Sequence, residues 1–417
     1  VFTDEPSVLG RGAIRDVRPW TWGFETFLSG YLGYDFVPHL EALWTDDYPD
    51  AEKYRRDFER AVNARLEEVY YAPYQRWCEE HGVALTGHPA GPGDIGVLKY
   101  FHIPGQDIVW RYIEPFKDKS LEGPQSTMAK CSASAECHYG WSRNGNECFG
   151  AYGWEFTFPE SQWITNWLLA RGVNLLMPHA FYYSVRGKRR DERPPDVGPN
   201  NTWWDEYKPY ADYCRRMCWL IAQSAQVCDV AILGTATQLP WRAARVLFEH
   251  QRDFNYLDRD TLLDVCAVDG EGVRIRDMVY KAVVVDGPEY GSEPVLSKLA
   301  PMIETGRVVA YAEAVPGVGV LAPDAESLVA RLAELSAPDV MVEPRQPGLR
   351  YHHVCDEDAD MYLFVNEAPG TIRASITVGA DGRSREWWNP HTAEVLPDIS
   401  GNTIEIPPYE SRILRCC

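Results

Sequence analysis

The stretch SQWITNWLLARGVNLLMPHAFYYS, residues 161–184, shows the pattern that organises the first half of the chain. Its first twelve residues have the apolar spacing of a helix, and the run that begins at Val173 predicts a strand. This strand ends in polar and aromatic side chains, among them His179 and Tyr182. A helix followed by a buried strand is the repeating unit of a parallel sheet.

The same alternation continues towards the start of the chain. Residues 51–81 have helical apolar spacing, and Gly82 provides a stop signal. The ends of the predicted strands all hold a polar or acidic residue, and in a (β/α)₈ barrel the C-terminal ends of the strands form the active site. Because a full barrel has eight strands, we expect residues 1–200 to form a partial (β/α)₈ barrel that lacks its leading strands. The five strand candidates are 1–5, 83–88, 107–115, 126–136 and 173–184.

Two further regions follow a linker-like, Pro-rich loop. Residues 205–345 again alternate strands and helices, which indicates a doubly wound α/β domain. No GxGxxG motif follows a strand there, so no nucleotide site is predicted. Residues 346–417 contain short alternating runs separated by turn residues, which is typical of a small β-sandwich.

Composition limits the partners. The chain has 41 basic and 61 acidic residues and a net charge of −20, which argues against nucleic acid and against an anionic membrane surface. No apolar run is long enough to span a membrane. Its 15 Trp and 23 Tyr fit a carbohydrate site, in which rings stack on sugars, although aromatic residues also simply fill cores. The expected partner is therefore a carbohydrate.

Cysteine usage and the N-terminus bear on the compartment. The 11 Cys residues are odd in number and form neither a disulfide framework nor a zinc motif. This pattern favours a reducing, cytoplasmic setting. The chain begins with VFTDEP, without Met or signal peptide, so we expect a processed chain or a fragment.

Glu5 and Glu136 are the candidate catalytic pair. Glycoside hydrolysis needs two carboxyl groups, and these two acids end predicted strands. Asp4 is a like charge beside Glu5, and such a neighbour can raise the pKa of a general acid. Small residues precede Glu136, while His138 and Trp141 follow it and would supply polar and stacking groups. The alternative is that both acids merely cap strands.

Other polar and aromatic residues are candidates for substrate contacts. Asp4, His138 and Trp141 join this set, and the remaining members are His88, Glu114, His179, Tyr182 and Trp22. For His88 a purely structural role is an equal alternative, and for Trp22 simple packing is the favoured interpretation. A metal site built on the histidines lacks the close ligand spacing of such sites, so the metal ligands stay unknown.

Several motifs resemble the α-L-rhamnosidase-type enzymes of glycoside hydrolase family 106. They are VFTDEPSVLGRG at 1–12, YAPYQRWCEEHGVALTGH at 71–88, SASAECHYGW at 132–141, WLLARGVNLLMPHAFYYS at 167–184 and EWWNPHTAEVLP at 386–397. The resemblance implies a (β/α)₈ barrel, a flavodoxin-like domain akin to the middle domain of some β-galactosidases, and a β-sandwich. It maps the catalytic acid onto Glu5 and the base onto Glu136. It also implies inversion of configuration and calcium near the site, for which Glu114 and Glu147 are suggestions.

These observations predict a glycosidase that removes a terminal sugar, such as α-L-rhamnose, from an oligosaccharide or glycoside. One alternative is a non-catalytic or truncated sugar-binding relative, and another is a β-galactosidase-like retaining glycosidase. A homo-oligomer and a missing N-terminal barrel segment both stay open as partners. The sugar, its linkage and the stereochemical course are not determined by the sequence.

Overall fold

Within the computed structural model, residues cluster into two units, one formed by 1–90 with 100–102 and the other by 91–99 with 103–417. In the part of the chain that the structure describes, no helix is both long enough and apolar enough to cross a membrane. The described residues are 1–9, 16–191, 193, 195–380, 384–396 and 403–417.

The first unit contains a two-stranded parallel sheet and a helical layer. Strand β1 pairs with β2 so that Asp4 lies opposite His88. The predicted helix at 51–81 is confirmed as two helices joined by a π-helical turn, and Gly82 follows them at φ 64°. The elements are β1 (Phe2–Asp4), α1 (Phe24–Leu32), α2 (Ala51–Leu66), α3 (Ala72–Glu80) and β2 (Thr86–His88).

The second unit begins with a parallel three-stranded sheet, in the order β3-β4-β5. Helix α4 connects its first two strands and α5 connects the next two, so two successive β-α-β units form this sheet. One face of the sheet shares a hydrophobic cluster with both helices. The elements are β3 (Gly105–Val109), α4 (Met128–Tyr139), β4 (Gly145–Gly150), α5 (Phe158–Leu169) and β5 (Leu175–Pro178).

The predicted strand at 126–136 is wrong, because this segment forms most of α4. Met, Ala, Lys and Glu are good helix formers, and small Ser and Cys side chains tolerate a helix that is enclosed by neighbours. The small Ala, Ser and Cys side chains of α4 give little contrast between apolar and polar positions, so no helical period can be read from its sequence. The sequence therefore lacked the signal that separates a buried helix from a buried strand.

Strand β4, with the sequence GNECFG, was missed. Gly, Asn and Glu are depleted in strands, and this stretch contains all three. Two other strands are shorter than predicted: β3 ends at Val109 because Trp110 and Arg111 adopt positive φ angles of 58° and 54°, and β5 ends at Pro178. By contrast, the predicted helix at 161–172 is confirmed as α5.

A five-stranded, all-parallel sheet follows, in the order β14-β13-β12-β7-β8. Numbered one to five along the chain, these strands run 5-4-3-1-2, which is the doubly wound order of flavodoxin. A small antiparallel sheet, β11-β10-β9, lies between β8 and β12 in the chain. The elements are α6 (Tyr207–Ala222), β6 (Ala225–Gln226), β7 (Val230–Gly234), α7 (Arg242–Glu249), β8 (Asn255–Asp258), α8 (Arg259–Asp264), β9 (Ala267–Val268), β10 (Val273–Ile275), β11 (Met278–Tyr280), β12 (Ala282–Val285), α9 (Glu293–Lys298), α10 (Ala300–Glu304), β13 (Val308–Tyr311), β14 (Val320–Ala322) and α11 (Ala325–Leu335).

The C-terminal region consists of two antiparallel sheets that share one hydrophobic cluster, as a β-sandwich does. The sheets have the orders β15-β18-β21 and β20-β19-β22-β17-β16-β6. The first strand begins at Val340, ahead of the predicted boundary at 346, and the domain boundaries themselves stay predictions. The strands are β15 (Val340–Glu343), β16 (Leu349–Cys355), β17 (Asp360–Asn366), β18 (Ile372–Val378), β19 (Arg385–Asn389), β20 (Glu394–Val395), β21 (Thr403–Ile406) and β22 (Ser411–Cys416).

A buried ion network joins α5 to the sandwich. The Glu367 carboxylate lies 2.6 Å from Arg171 Nη1 and 3.0 Å from Arg350 Nε, and all three residues are buried. Arg171 follows the C-terminal end of α5, whereas Arg350 belongs to β16. Because an uncompensated buried charge costs several kcal/mol, the three residues hold these elements together.

Candidate active site

One face of the β3–β5 sheet displays acidic side chains. Asp107, Glu147 and Met177 are in register on adjacent strands, so their side chains project from the same face. The alternate residues face the helices: Gln106 Nε2 lies 3.4 Å from Cys131 Sγ of α4. Asp107 and Glu147 are therefore on the face that α4 and α5 leave uncovered, and both are only partly buried.

Glu147 and His179 form a close pair on this face. His179 Nδ1 lies 2.7 Å from Glu147 Oε1, and the two side chains are 41% and 19% exposed. His179 directly follows β5, and its backbone N–H donates to Cys148 O at 2.8 Å. A carboxylate that an imidazole orients, and that solvent still reaches, can act as a nucleophile or a general base.

Exposed aromatic rings follow the carboxyl ends of all three strands. Trp110 comes directly after β3, Trp154 follows β4, and Phe181 and Tyr183 follow β5. Each ring is more than a third exposed, and Tyr183 is fully exposed. Packing in a hydrophobic core does not explain exposed rings that follow the carboxyl ends of three neighbouring strands, whereas a binding surface does.

Glu114 lies outside the strands and is held by two cations. Its carboxylate pairs with Lys119 and, at 2.9 Å, with Arg111 Nε. Burial alone would raise its pKa, but the hydrogen bonds from Lys119 and Arg111 outweigh burial and lower the pKa. The prediction that Glu114 ends a strand is wrong, and a carboxylate already neutralised by two cations does not fit a calcium ligand.

Glu136 belongs to helix α4, and its carboxylate lies at the amino ends of strands β4 and β5. Its carboxylate accepts hydrogen bonds from Asn144 Nδ2 and, at 2.8 Å, from Asn174 Nδ2. These asparagines directly precede β4 and β5, so Glu136 marks the amino ends of the strands. Burial raises the pKa of Glu136 to about 7, against the effect of the two amides. The reason for choosing Glu136, a position at a strand's carboxyl end, is therefore wrong.

Two other predicted substrate ligands, His138 and Trp141, follow Glu136 in the chain. Trp141 lines a cavity of about 290 Å³ together with Glu136, near the amino ends of β4 and β5. His138 is 2% exposed, and its Nε2 lies 2.7 Å from the Tyr280 hydroxyl. Burial lowers the pKa of His138 to about 4. A sealed, neutral histidine cannot contact a substrate, so this prediction is corrected.

In the first unit, Glu5 directly follows the carboxyl end of β1, as predicted. Its backbone N–H donates to His88 O at 3.2 Å, and its φ is 39°. His88 is buried, and its Nε2 lies 3.8 Å from Asp4 Oδ1. Trp22 is 99% exposed, which excludes the packing alternative. The functional roles of these four residues stay predictions.

Asp196 organises the loop that contains Tyr182, and it was not among the predicted site residues. Its carboxylate accepts from the backbone N–H groups of Tyr182 at 3.2 Å, Gly198 at 2.8 Å and Asn200 at 3.0 Å. An Asp two residues ahead of Gly is a turn signal that could have identified it. Tyr182 is thus fixed through its backbone, and its substrate role stays a prediction.

Glu147 is the main residue that sequence reasoning undervalued. The family resemblance suggested it only as a calcium ligand. A signal was nevertheless present, because the pair Cys148-Phe149 lies between two glycines at the right distance after a helix for a buried strand. Glu147 lies in the middle of β4, and its carboxylate contacts His179, which follows the carboxyl end of β5.

The fold is one that known glycosidases share. A rhamnosidase from Novosphingobium sp. PP1Y superposes with a TM-score of 0.72 at 18% identity, over 95% of this chain and 43% of that chain. A beta-galactosidase from Bacillus circulans sp. alkalophilus superposes with a TM-score of 0.63 at 10% identity, over 94% of this chain and 73% of that chain. At these identities the likeness shows the fold alone.

The sequence profile of the alpha-L-rhamnosidases matches residues 17–334. The chain belongs to this family, glycoside hydrolase family 106, as its motifs had indicated. A curated relative from Formosa agariphila, named "Putative beta-glucuronidase", is 23% identical over 311 residues, which are 70% of this chain and 25% of that protein. The chain thus spans a quarter of the Formosa protein and less than half of the rhamnosidase.

Proposed function

We propose that this protein hydrolyses the glycosidic bond of a terminal sugar and that Glu147 is one of the two carboxyl groups required. The observation that supports the proposal most is the Glu147–His179 pair, 2.7 Å apart on the uncovered face of a parallel sheet. Ligands of such sheets bind at the carboxyl ends of the strands. Membership of the α-L-rhamnosidase family makes a terminal α-L-rhamnose the first substrate to test.

The proposed role of Glu147 replaces the one first assigned to Glu136. A base or nucleophile must reach the anomeric carbon or its attacking water, so its oxygens need an open approach. The Glu147 side chain is partly exposed, whereas both oxygens of Glu136 accept hydrogen bonds from asparagine side chains. His179 is a positioning residue, because its ring nitrogen fixes the orientation of the Glu147 carboxylate.

Glu5 is kept as a separate candidate for the general acid. It directly follows a parallel strand, and Asp4 beside it is a like charge. Its assignment rests on the sequence resemblance and is tested by its own substitution, Glu5→Gln. An aryl glycoside with a good leaving group needs little acid assistance, so this variant should lose less activity on such a substrate than on an alkyl glycoside.

The finer fold expectation is also a proposal. The two β-α-β units that contain β3, β4 and β5 are proposed to belong to the wall of a (β/α)₈ barrel. Right-handed repetition of such units is how these barrels close. Calcium stays a proposal by family resemblance: Glu114 does not fit as a ligand, and no step of the mechanism depends on the metal.

A panel of 4-nitrophenyl glycosides tests the function. The panel contains the α-L-rhamnoside, the β-D-galactoside and the β-D-glucuronide, since the relatives carry those three names. We expect turnover of the α-L-rhamnoside by the wild-type protein and its loss in Glu147→Gln. Glu136→Gln is the matched control, because it makes the same chemical change at the opposite edge of the sheet.

Two results would reject the proposal. Equal turnover by wild type and Glu147→Gln would remove Glu147 from the mechanism. Sugar binding without turnover of any glycoside, unaffected by either variant, would support the alternative of a non-catalytic relative. Turnover of the β-D-galactoside alone would keep the hydrolase and change the sugar.

A further inference from the structure

The flavodoxin-like sheet has a crevice that the proposed active site does not use. Strand β7 lies between β8 and β12. Because β7 leads to β8 on one flank and β12 leads to β13 on the other, right-handed crossovers leave these two strands on opposite sides of the sheet. In doubly wound sheets the loops part at this switch point, and ligands bind there, outside the carboxyl ends of the strands. The loops in question are Thr235–Trp241 after β7 and Asp286–Gly291 after β12.

A cavity of about 330 Å³ opens at this switch point. Thr237 and Trp241 of the first loop line it, together with Asp286 and Tyr290 of the second. Glu313, which follows β13, closes a further side. The volume suits a ligand of about one or two sugar rings, and the lining combines aromatic rings with a few polar groups, as ligand pockets do.

The charged groups of the cavity form a fixed frame. Asp286 is 1% exposed and accepts hydrogen bonds from Arg242 Nε at 3.0 Å and from Ala243 N at 2.8 Å. Arg242 also donates to Glu313 Oε1 at 3.2 Å. With Glu289 added, three carboxylates face a single guanidinium that two of them already engage. The excess negative charge disfavours phosphate and carboxylate ligands.

The Tyr290 hydroxyl is the second observation that points to a ligand. Tyr290 is 5% exposed and lines the cavity. Among the described residues, none makes a hydrogen bond with its hydroxyl. A phenol that is buried on all other sides normally finds a partner. Its hydroxyl therefore has donor and acceptor capacity to offer a molecule in the cavity.

We infer that this crevice is a second ligand site that takes a neutral, hydroxyl-rich molecule, namely a free monosaccharide. Vicinal hydroxyl groups can donate to Glu313 and Glu289 and exchange hydrogen bonds with Tyr290, while the Trp241 ring contacts the C–H face of the sugar. The inference stands on the geometry of the flavodoxin-like sheet and does not depend on the proposed hydrolysis.

Hydrogen–deuterium exchange can locate such binding. The whole protein, carrying Glu147→Gln, would be incubated with L-rhamnose, D-galactose or D-glucose. The sugar concentration would reach about 50 times the millimolar Kd that is expected for a single sugar. We expect at least one sugar to protect the peptides that contain residues 235–241 and 286–291. Tyr290→Phe and Glu313→Gln should each raise the sugar concentration that gives half-maximal protection by about fivefold, the effect of one hydrogen bond.

A matched variant separates a lost contact from a lost fold. Glu304→Gln makes the same change as Glu313→Gln in the same domain but outside the cavity, and should leave the protection unchanged. Absence of protection by all three sugars, or protection that survives both Tyr290→Phe and Glu313→Gln, would overturn the inference. Protection by inorganic phosphate or spermidine in place of the sugars would overturn the ligand class as well. Because Glu147 is substituted throughout, these results do not depend on catalysis.

Discussion

Glu147 of β4 and Glu136 of α4 lie near opposite ends of the strands of the β3-β4-β5 sheet, and their surroundings differ. Glu147, in the middle of β4, contacts the imidazole of His179 just past the carboxyl end of β5 and is partly exposed. At the amino edge Glu136 is held by two asparagine amides that precede the strands. The residue type is the same, so the difference teaches that strand polarity and neighbours decide which acid can do chemistry.

The largest expected effect separates the two glutamates by activity. Glu147→Gln should lower kcat/KM on an aryl glycoside by about 10²–10⁴-fold, since the variant loses a group that acts in the transition state. Glu136→Gln should stay within about threefold of wild type at pH 6, because its carboxyl group does not touch substrate. Steady-state kinetics of both variants, with circular dichroism to verify folding, measures the contrast. A reversed order would show that the amino edge is the active one.

The next effect separates them by stability. The pKa of Glu136 rises from 4.5 to about 7 in the folded protein. Between these values the folded chain retains a proton that the unfolded chain has lost, so the contribution of this group to the unfolding free energy falls as pH rises, by at most about 3 kcal/mol. Glu136→Gln should flatten that slope in urea unfolding at pH 5 and pH 8.

The control for this slope is Glu304→Gln, an exposed acid at the end of α10. This variant should keep the wild-type pH dependence. An unchanged slope in Glu136→Gln would mean that the asparagine amides hold the Glu136 carboxylate ionised in the folded protein.

A smaller effect concerns the positioning of Glu147. His179→Ala should lower kcat by about 10–100-fold, the value of a hydrogen bond to a charged group, and change KM little. His179→Gln places an amide donor near the same position and should recover part of the loss. The split between kcat and KM is the measurement. A rise in KM alone would instead make His179 a substrate ligand.

The smallest effect concerns the exposed rings of the carboxyl edge. Tyr183→Ala should raise KM by about 2–10-fold, as the loss of one aromatic contact does. Its melting temperature should stay unchanged, because the ring is fully exposed. Trp219→Ala removes a similarly exposed ring from α6 and is the matched control. Equal KM values for both variants would exclude Tyr183 from binding.

Much of the fold could be predicted where the sequence has a regular period. Helix α5 has its capping box at Thr157 and Glu160 and a clear apolar spacing, and it was found within three residues. Helix α4 was taken for a strand, since its small Ala, Ser and Cys side chains show no clear helical period. Strand β4 was missed because its glycines and polar residues suit a turn as well as a buried strand.

The candidate site shows the same limit at the level of single residues. Glu5 and His179 were placed correctly after their strands, because each strand has a distinct apolar run. Glu147 received less weight than Glu136, because residues 126–136 were predicted as a strand and β4 was missed. The catalytic roles of both acids stay predictions. Which of two acids faces a helix, a partner amide or solvent depends on registers between strands, and no single stretch of sequence contains that information.

The charge network around Glu367 has a consequence for anyone who shortens this protein. Arg171 is wholly buried and would be stranded without its carboxylate partner if the sandwich were removed. The end of α5 and the start of β5 would then lose their anchor only a few residues from His179. Removal of residues 340–417, which contain the sandwich strands β15–β22, should therefore destabilise the segment that leads to His179.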